Sequence, residues 1–221
     1  MSTGPFSSLN TAVSTGDAPE AVAENLARLA GALKLPAQAL LTVSQVHGDR
    51  VVEGAPAMPS TEADAVWTRH AHCAVGVKTA DCVPILIEDR RQQRVAAVHA
   101  GWRGVISQIV HKALGAMGSN PNDVFVAIGP AIQKCCFEVD GDLPARFSTA
   151  FGGDVVVTVA GKSKKHLDLS LAVQRTLERA GVPPSHIDAL AHCTHCDSRF
   201  FSHRRDHGRT GRHLSLIACE F

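Results

Sequence analysis

The run Val95-Ala96-Ala97-Val98 has no polar side chain to offer water. The strand it predicts must be covered by packing on both faces. That run ends in His99-Ala100-Gly101-Trp102-Arg103-Gly104, so a buried strand delivers an imidazole to a turn that carries a guanidinium. Two other apolar runs are bounded in the same way by reactive side chains. Leu41-Thr42-Val43-Ser44-Gln45-Val46-His47-Gly48 ends in a histidine before a glycine, and Lys78-Thr79-Ala80-Asp81-Cys82-Val83-Pro84-Ile85 sets a cysteine beside an aspartate.

The remaining periodicities surround these strands with helices. Asp17, with Glu20 three positions later, forms a capping box ahead of Val22, Leu26, Leu29, Ala30 and Leu33. This predicts a helix over 17–34, closed before Pro36. Strands are predicted over 40–46, 74–77, 83–88, 94–99, 124–128, 154–159 and 214–218. A helix carrying Val105, Ile106, Ile109, Val110, Ala113, Leu114 and Met117 opens after the Gly-Trp-Arg-Gly turn, and Gly118-Ser119-Asn120-Pro121 closes it. A third helix spans 168–180 and is stopped by Gly181 and Pro183-Pro184. Helices and strands are mixed rather than strictly alternating, so the class is α/β of the mixed α+β kind. The 221 residues suit one domain over 1–221.

A net charge of +1 argues against nucleic acid or an anionic membrane as partner. No apolar run approaches the ~20 residues of a membrane span. Met1-Ser2-Thr3-Gly4-Pro5 has neither the basic region nor the apolar core of a signal peptide. A cytoplasmic protein is expected. The seven cysteines then read as reduced thiols.

His47, Cys82 and His99 are candidate ligands of a three-ligand zinc site with one coordination position open. A water there would have its pKa lowered toward ~7. Gln45 and Asp81, beside the ligands, are candidates to orient an imidazole or that water. The same atoms support a metal-free reading, with Cys82 as nucleophile and His99 as its base. The residues alone do not separate the two. Cys193-Thr194-His195-Cys196 is a single C-x-x-C pair, read as structural thiols, and Cys135-Cys136 reads as packing. Five arginines crowd residues 199–212, and most read as a solvated loop with an Arg-Asp pair. Arg103, between glycines at a predicted helix start, is the better phosphate candidate.

Taken together, Gln45-Val46-His47-Gly48, Ala63-Asp64-Ala65-Val66, Thr79-Ala80-Asp81-Cys82-Val83-Pro84, His99-Ala100-Gly101-Trp102-Arg103-Gly104, Ile128-Gly129-Pro130-Ala131-Ile132, Phe200-Phe201-Ser202-His203-Arg204-Arg205-Asp206 and Thr210-Gly211-Arg212 resemble the YfiH family. Its members are also called laccase-domain or polyphenol-oxidase-like proteins. The resemblance runs along nearly the whole chain. It implies a layered α/β sandwich shared with cytotoxic-necrotizing-factor-type deamidases, and zinc on His47, Cys82 and His99. It also implies phosphorolysis of adenosine, inosine and methylthioadenosine, with some adenosine deamination, so a purine nucleoside and phosphate are the expected partners. In that reading Asp81 is a candidate proton carrier, and Arg103 and an arginine of 199–212 hold phosphate; Trp102 is either a stacking surface for the base or a core tryptophan. The catalytic set is then Asp81, Cys82, His99 and Arg103.

The alternatives are a Cys82-His99 amidohydrolase editing peptidoglycan precursors, a copper-dependent polyphenol oxidase, and a structural zinc protein whose fourth ligand would be Asp81. Monomer and homodimer both fit. Family members usually begin with an extra strand carrying a Phe-Thr-Arg-Gly-Gly-like segment before the equivalent of Ser2-Thr3-Gly4-Pro5; this sequence begins where that segment should end, and an arginine missing there would bear on phosphate binding.

Overall fold

The computed structural model describes residues 1–58 and 60–219. The chain runs α1 (Pro19–Ala32), β1 (Leu40–Thr42), β2 (Val51–Glu53), β3 (Ala65–Thr68), β4 (Cys73–Thr79), β5 (Val83–Asp89), β6 (Arg94–Ala100), α2 (Trp102–Ile106) and α3 (Ile109–Met117). It continues β7 (Val124–Ile128), β8 (Glu138–Val139), α4 (Leu143–Phe151), β9 (Val156–Thr158), β10 (Lys165–Leu167), α5 (Leu169–Arg179), β11 (Ile187–Ala189) and β12 (His213–Cys219).

The apolar run lies where its composition requires. Strand β6 sits inside a six-stranded sheet of order β11-β7-β5-β6-β3-β2, antiparallel to both β5 and β3. Side chains alternate across a strand, and the two alternating sets of β6 enter different cores. Ala96, Val98 and Ala100 join Ile85 and Ile87 against the helical layer, where Ile109, Ala113, Met117 and Leu177 pack. Val95 and Ala97 face the other way, with Leu41, Val75 and Val77 of a second sheet of order β1-β4-β12. The layers are therefore helices, large sheet, small sheet. A third sheet, β8-β10-β9, lies beside them. His99 shares the parity of Val95 and Ala97, so β6 aims it into the seam between the two larger sheets. The mixed α/β class and the layered sandwich are both as expected.

Local chemistry shifts several boundaries. Asp17 is not the cap of α1; Ala18 holds that position in an extended conformation. The residue before a proline is pushed out of the helical region, so Pro19 starts the helix one residue later. The Asp17 carboxylate is engaged by Asn10 Nδ2 and the Ala18 N–H. The helix predicted from Val105 to Met117 is two helices, α2 and α3, separated at Gln108, whose φ is 61°. A non-glycine residue in the left-handed region cannot continue a helix. The strand over 40–46 stops at Thr42, and Ser44 makes only an isolated bridge to Glu62. Asp168 does cap α5, accepting from the Leu171 N–H. Strands β2 and β3 are too short to show a period, while α4 carried a readable stripe in Leu143, Phe147, Ala150 and Phe151. Among the described residues no helix is long and apolar enough to cross a membrane.

Phe151 is fully buried and tilted against Phe147 at a centroid distance of 5.3 Å. Phe151→Ala should lower unfolding free energy by about 3–5 kcal/mol, read as a fall in the urea midpoint with an unchanged slope.

Candidate functional site

Three chain segments end at one point. Register pairs Pro84 of β5 with His99 of β6, which sets Cys82, just ahead of β5, level with the turn after β6. His47 arrives from the loop after β1. The His47, Cys82 and His99 ligand atoms lie within 4.8 Å of one another, and the two imidazole rings meet edge to face at 4.9 Å. Gly101 leaves the room. A Cβ there would lie 3.2 Å from the Cys82 sulfur, 3.3 Å from the His47 ring and 4.0 Å from the His99 ring. Its backbone angles, φ −71° and ψ 169°, suit any residue, so a side chain here would crowd the ligands without straining the backbone. One thiolate and two imidazoles around a side-chain-sized gap fit a zinc ion. Among the described residues no fourth histidine, cysteine or carboxylate joins the group.

Asp64 builds the site from behind. Its Oδ1 accepts from His99 Nδ1 at 2.7 Å and from the His47 N–H at 2.9 Å. Its Oδ2 accepts from the Gly48 N–H at 2.7 Å and the Val46 N–H at 3.2 Å. The His99 N–H also donates to the Asp64 carbonyl at 2.7 Å. One buried carboxylate thus fixes the His47 turn and, by holding Nδ1, points the other His99 nitrogen at the gap. This is the carboxylate–histidine arrangement that orients metal ligands. Burial alone would raise the Asp64 pKa, but the His99 ring and the Gly48 and Val46 N–H groups lower it overall.

Asp64, rather than Gln45 or Asp81, hydrogen-bonds a ligand imidazole. The Gln45 amide is spent on Lys78, donating to its carbonyl and accepting from its N–H, both at 2.7 Å. Both Asp81 carboxylate oxygens are engaged, by the Thr194 hydroxyl at 2.6 Å and the Arg204 N–H at 2.7 Å. The sequence offered one signal for Asp64: an acidic residue inside Ala63-Asp64-Ala65-Val66, where burial of a charge requires partners.

The charges of the centre favour the thiolate form of Cys82 and also the protonated form of His99, whose proton must leave when a metal binds. Burial opposes ionisation of Cys82, yet hydrogen bonds from His47 and His99 and the charge of these rings bring the thiol down to about 6. Burial likewise opposes protonation of His99, but Asp64 and the Cys82 sulfur raise it to about 9. Without an ion the two form a thiolate–imidazolium pair.

The centre opens into a cavity of about 920 Å³. Leu40, Leu41, Val43 and Phe137 give it an apolar wall, and Asp81 also lines it. Its cations are Lys78, Arg204 and Arg212. Burial lowers the Lys78 pKa. The N-terminal segment closes one side, with Thr11 hydrogen-bonded to the Arg212 carbonyl through both its N–H and its hydroxyl. Neither Arg103 nor Trp102 lines the cavity. Arg103 is exposed on the five-residue α2 with its guanidinium over the Trp102 ring, and Trp102 packs against the helical core. The predicted Arg-Asp pairing in 199–212 is present, with Arg205 Nε 2.8 Å from Asp206 and Arg199 on Asp197.

The two cysteine pairs do not stand apart. Cys135, Cys136, Cys193 and Cys196 come within 4.8 Å of one another through their sulfurs. Separate readings of the pairs missed this because Cys136 and Cys196 are 60 positions apart in the sequence.

Known proteins resemble the chain along its full length. Residues 1–220 match the family model described as multi-copper polyphenol oxidoreductase laccase. A purine nucleoside phosphorylase of Mycobacterium tuberculosis is 38% identical over 225 residues, covering 100% of this chain and 88% of that one. The purine nucleoside phosphorylase YfiH of Escherichia coli is 34% identical, covering 98% and 88%. The crystal structure of YlmD from Geobacillus stearothermophilus superposes with a TM-score of 0.92 at 33% identity, covering 100% and 88%.

Two substitutions test the geometry. Asp64→Asn leaves one acceptor oxygen where the carboxylate has two, and should weaken zinc binding roughly 10–100-fold in competition against a chromophoric chelator. Gly101→Ala should do the same while leaving the urea midpoint close to wild type. Wild-type zinc affinity in both variants would exclude an ion at this position.

Proposed function

The chain belongs to the multi-copper polyphenol oxidoreductase laccase family, and from that membership we propose that it is a zinc-dependent purine nucleoside phosphorylase. Relatives from several bacteria carry the name purine nucleoside phosphorylase. The observation that carries the reading is the three-ligand cluster opening onto a cavity whose volume lies in the range of small-molecule sites, with three cations in its wall. A single copper ion also fits two imidazoles and a thiolate. Multicopper chemistry needs further imidazole clusters, and among the described residues the one other metal-competent group is the four cysteines.

When bound, zinc supplies Lewis acidity at the cavity end. Asp64 keeps His99 and the His47 turn in place, which limits the rearrangement needed on binding. Lys78 and Arg212 are the phosphate-holding cations in this proposal, replacing Arg103, which is not at the cavity. In phosphorolysis a phosphate oxygen bonds to the ribose carbon as the bond to the purine nitrogen breaks, and the electron pair leaves with the purine. Asp81, oriented by Thr194 and the Arg204 backbone, is the candidate carrier of the proton that neutralises it. The apolar wall takes the base. Adenosine, inosine and methylthioadenosine are the proposed substrates, and adenosine deamination is a second proposed reaction at the same site.

One observation favours a second reading. Cys82, His99 and Asp64 form a thiolate, an imidazolium and an orienting carboxylate, the arrangement of a cysteine amidohydrolase. Iodoacetamide distinguishes the two. Phosphorolysis on a metal predicts that Cys82 is alkylated only after zinc is stripped, and alkylation at equal rates in the zinc-loaded protein would favour the amidohydrolase.

Zinc-loaded protein should release ribose 1-phosphate from inosine and phosphate. Cys82→Ser or chelation should cut that rate at least roughly 100-fold, the scale of several kcal/mol of lost stabilisation. Undiminished turnover would end the metal role. Lys78→Met should raise the KM for phosphate roughly tenfold with kcat little changed, the scale of one charge-assisted hydrogen bond.

A further inference from the structure

Outside the cavity, the tightest gathering of reactive side chains is the sulfur cluster of Cys135, Cys136, Cys193 and Cys196. We propose that these four cysteines form a second metal site, a tetrathiolate that holds one zinc ion or another thiophilic divalent cation.

Geometry is the main support. Four thiolates around zinc at ~2.3 Å in a tetrahedron stand ~3.8 Å apart. Here Cys135 and Cys196 sulfurs are 3.8 Å apart, Cys136 and Cys196 3.3 Å, and all four lie within 4.8 Å. The backbone explains how adjacent cysteines can share one ion. Residues 134–136 form a turn in which the Cys136 and Phe137 N–H groups both donate to the Gln133 carbonyl at 2.9 Å. That curl sends both sulfurs toward Cys196. Cys193-Thr194-His195-Cys196 forms the opposite turn. The Cys193 sulfur accepts from the Gln133 N–H at 3.4 Å and from the Cys196 backbone.

The two turns are joined before any ion arrives. Ala131 and Cys193 form a parallel bridge, with the Ala131 N–H donating to the His192 carbonyl and the Thr194 N–H to the Ala131 carbonyl. The ligands thus come from two loops already held in register, which lowers the ordering cost of binding. Neither flanking histidine belongs to the cluster, and the His192 ring rests near Phe200. The loops also hold Asp81, through Thr194 and through the Ile132 N–H on the Asp81 carbonyl at 2.9 Å. An ion here would brace that wall of the cavity from outside.

The test uses full-length protein purified anaerobically, without chelator, and reloaded with zinc. Elemental analysis should give two zinc equivalents per chain. Cys193→Ser/Cys196→Ser should lose one, and Cys82→Ser should lose the other. Titration with cadmium should produce thiolate-to-metal charge-transfer absorption, most of it absent from Cys193→Ser/Cys196→Ser and most of it kept in Cys82→Ser. Cys135→Ala/Cys136→Ala repeats the loss from the opposite loop, so a folding defect in one variant does not decide the outcome. A single zinc equivalent in the wild type that is lost in Cys82→Ser and kept in both loop variants would overturn the proposal. So would two equivalents in both loop variants, or peptide maps of the anaerobic protein showing these cysteines joined as disulfides. The first site and its phosphorolysis assay are measured separately, so either proposal can fail alone.

Discussion

A single buried carboxylate holds the centre together. Asp64 receives hydrogen bonds from three consecutive backbone N–H groups, Val46, His47 and Gly48, and from the ring of His99. A charge that far from water is tolerated only when its acceptor sites are filled, and here filling them defines the site. The three N–H groups impose the turn that carries His47, and the ring bond sets which nitrogen His99 presents. Asp64 lies just ahead of β3, which pairs with β6, so the carboxylate and the imidazole are fixed to one another by the sheet itself. Rigid strands, rather than a loop, therefore hold one ligand and its support.

Local backbone strain collects around this point. His47 has a φ of 59° and Asp81 a φ of 90°, in a region that residues with a Cβ rarely adopt. Such conformations cost of order 1–3 kcal/mol each and persist only where surrounding bonds over-determine them. For His47 those bonds come from Asp64. For Asp81 they come from Thr194, Arg204 and Ile132. The strain turns the chain sharply at strand ends, so that His47 and Cys82 reach the end of β6 instead of continuing along their own strands. The same bonds tie Asp81 to loops that carry the four-cysteine cluster, so the two sulfur-bearing sites share one wall of the cavity.

How much of this was legible in the sequence differs by element. Strand β6 was readable because burial on both faces leaves an unmistakable composition, and the strand over 124–128, buried on one face, because its residues are all apolar. The start of α5 at Asp168 was readable, and the structure gives the reason: Asp168 caps the helix by accepting from the Leu171 N–H. The cap of α1 was misread because Pro19 shifted the start. The helix over 105–117 was misread because its apolar period runs on through Gln108, where the backbone breaks. At the site, His47, Cys82 and His99 were legible as strand-end side chains and through a family resemblance. Arg103 was assigned to phosphate from its local setting between glycines, but which way a short helix faces depends on what it packs against. Trp102 joins the core, and Arg103 lies over its ring, away from the cavity.

The sequence alone therefore determined what depends on composition and near neighbours: the mixed α/β class, a strand covered on both faces, and three candidate ligands at the ends of apolar runs. Only the tertiary structure decided what depends on residues distant in the chain. It brought Asp64 behind His47 and His99, set Lys78 and Arg212 rather than Arg103 in the cavity wall, and drew Cys135 and Cys136 to Cys193 and Cys196. The reason is physical. A hydrogen bond or metal-ligand distance is set by strand register and loop packing, and neither leaves a periodic trace in the order of residues.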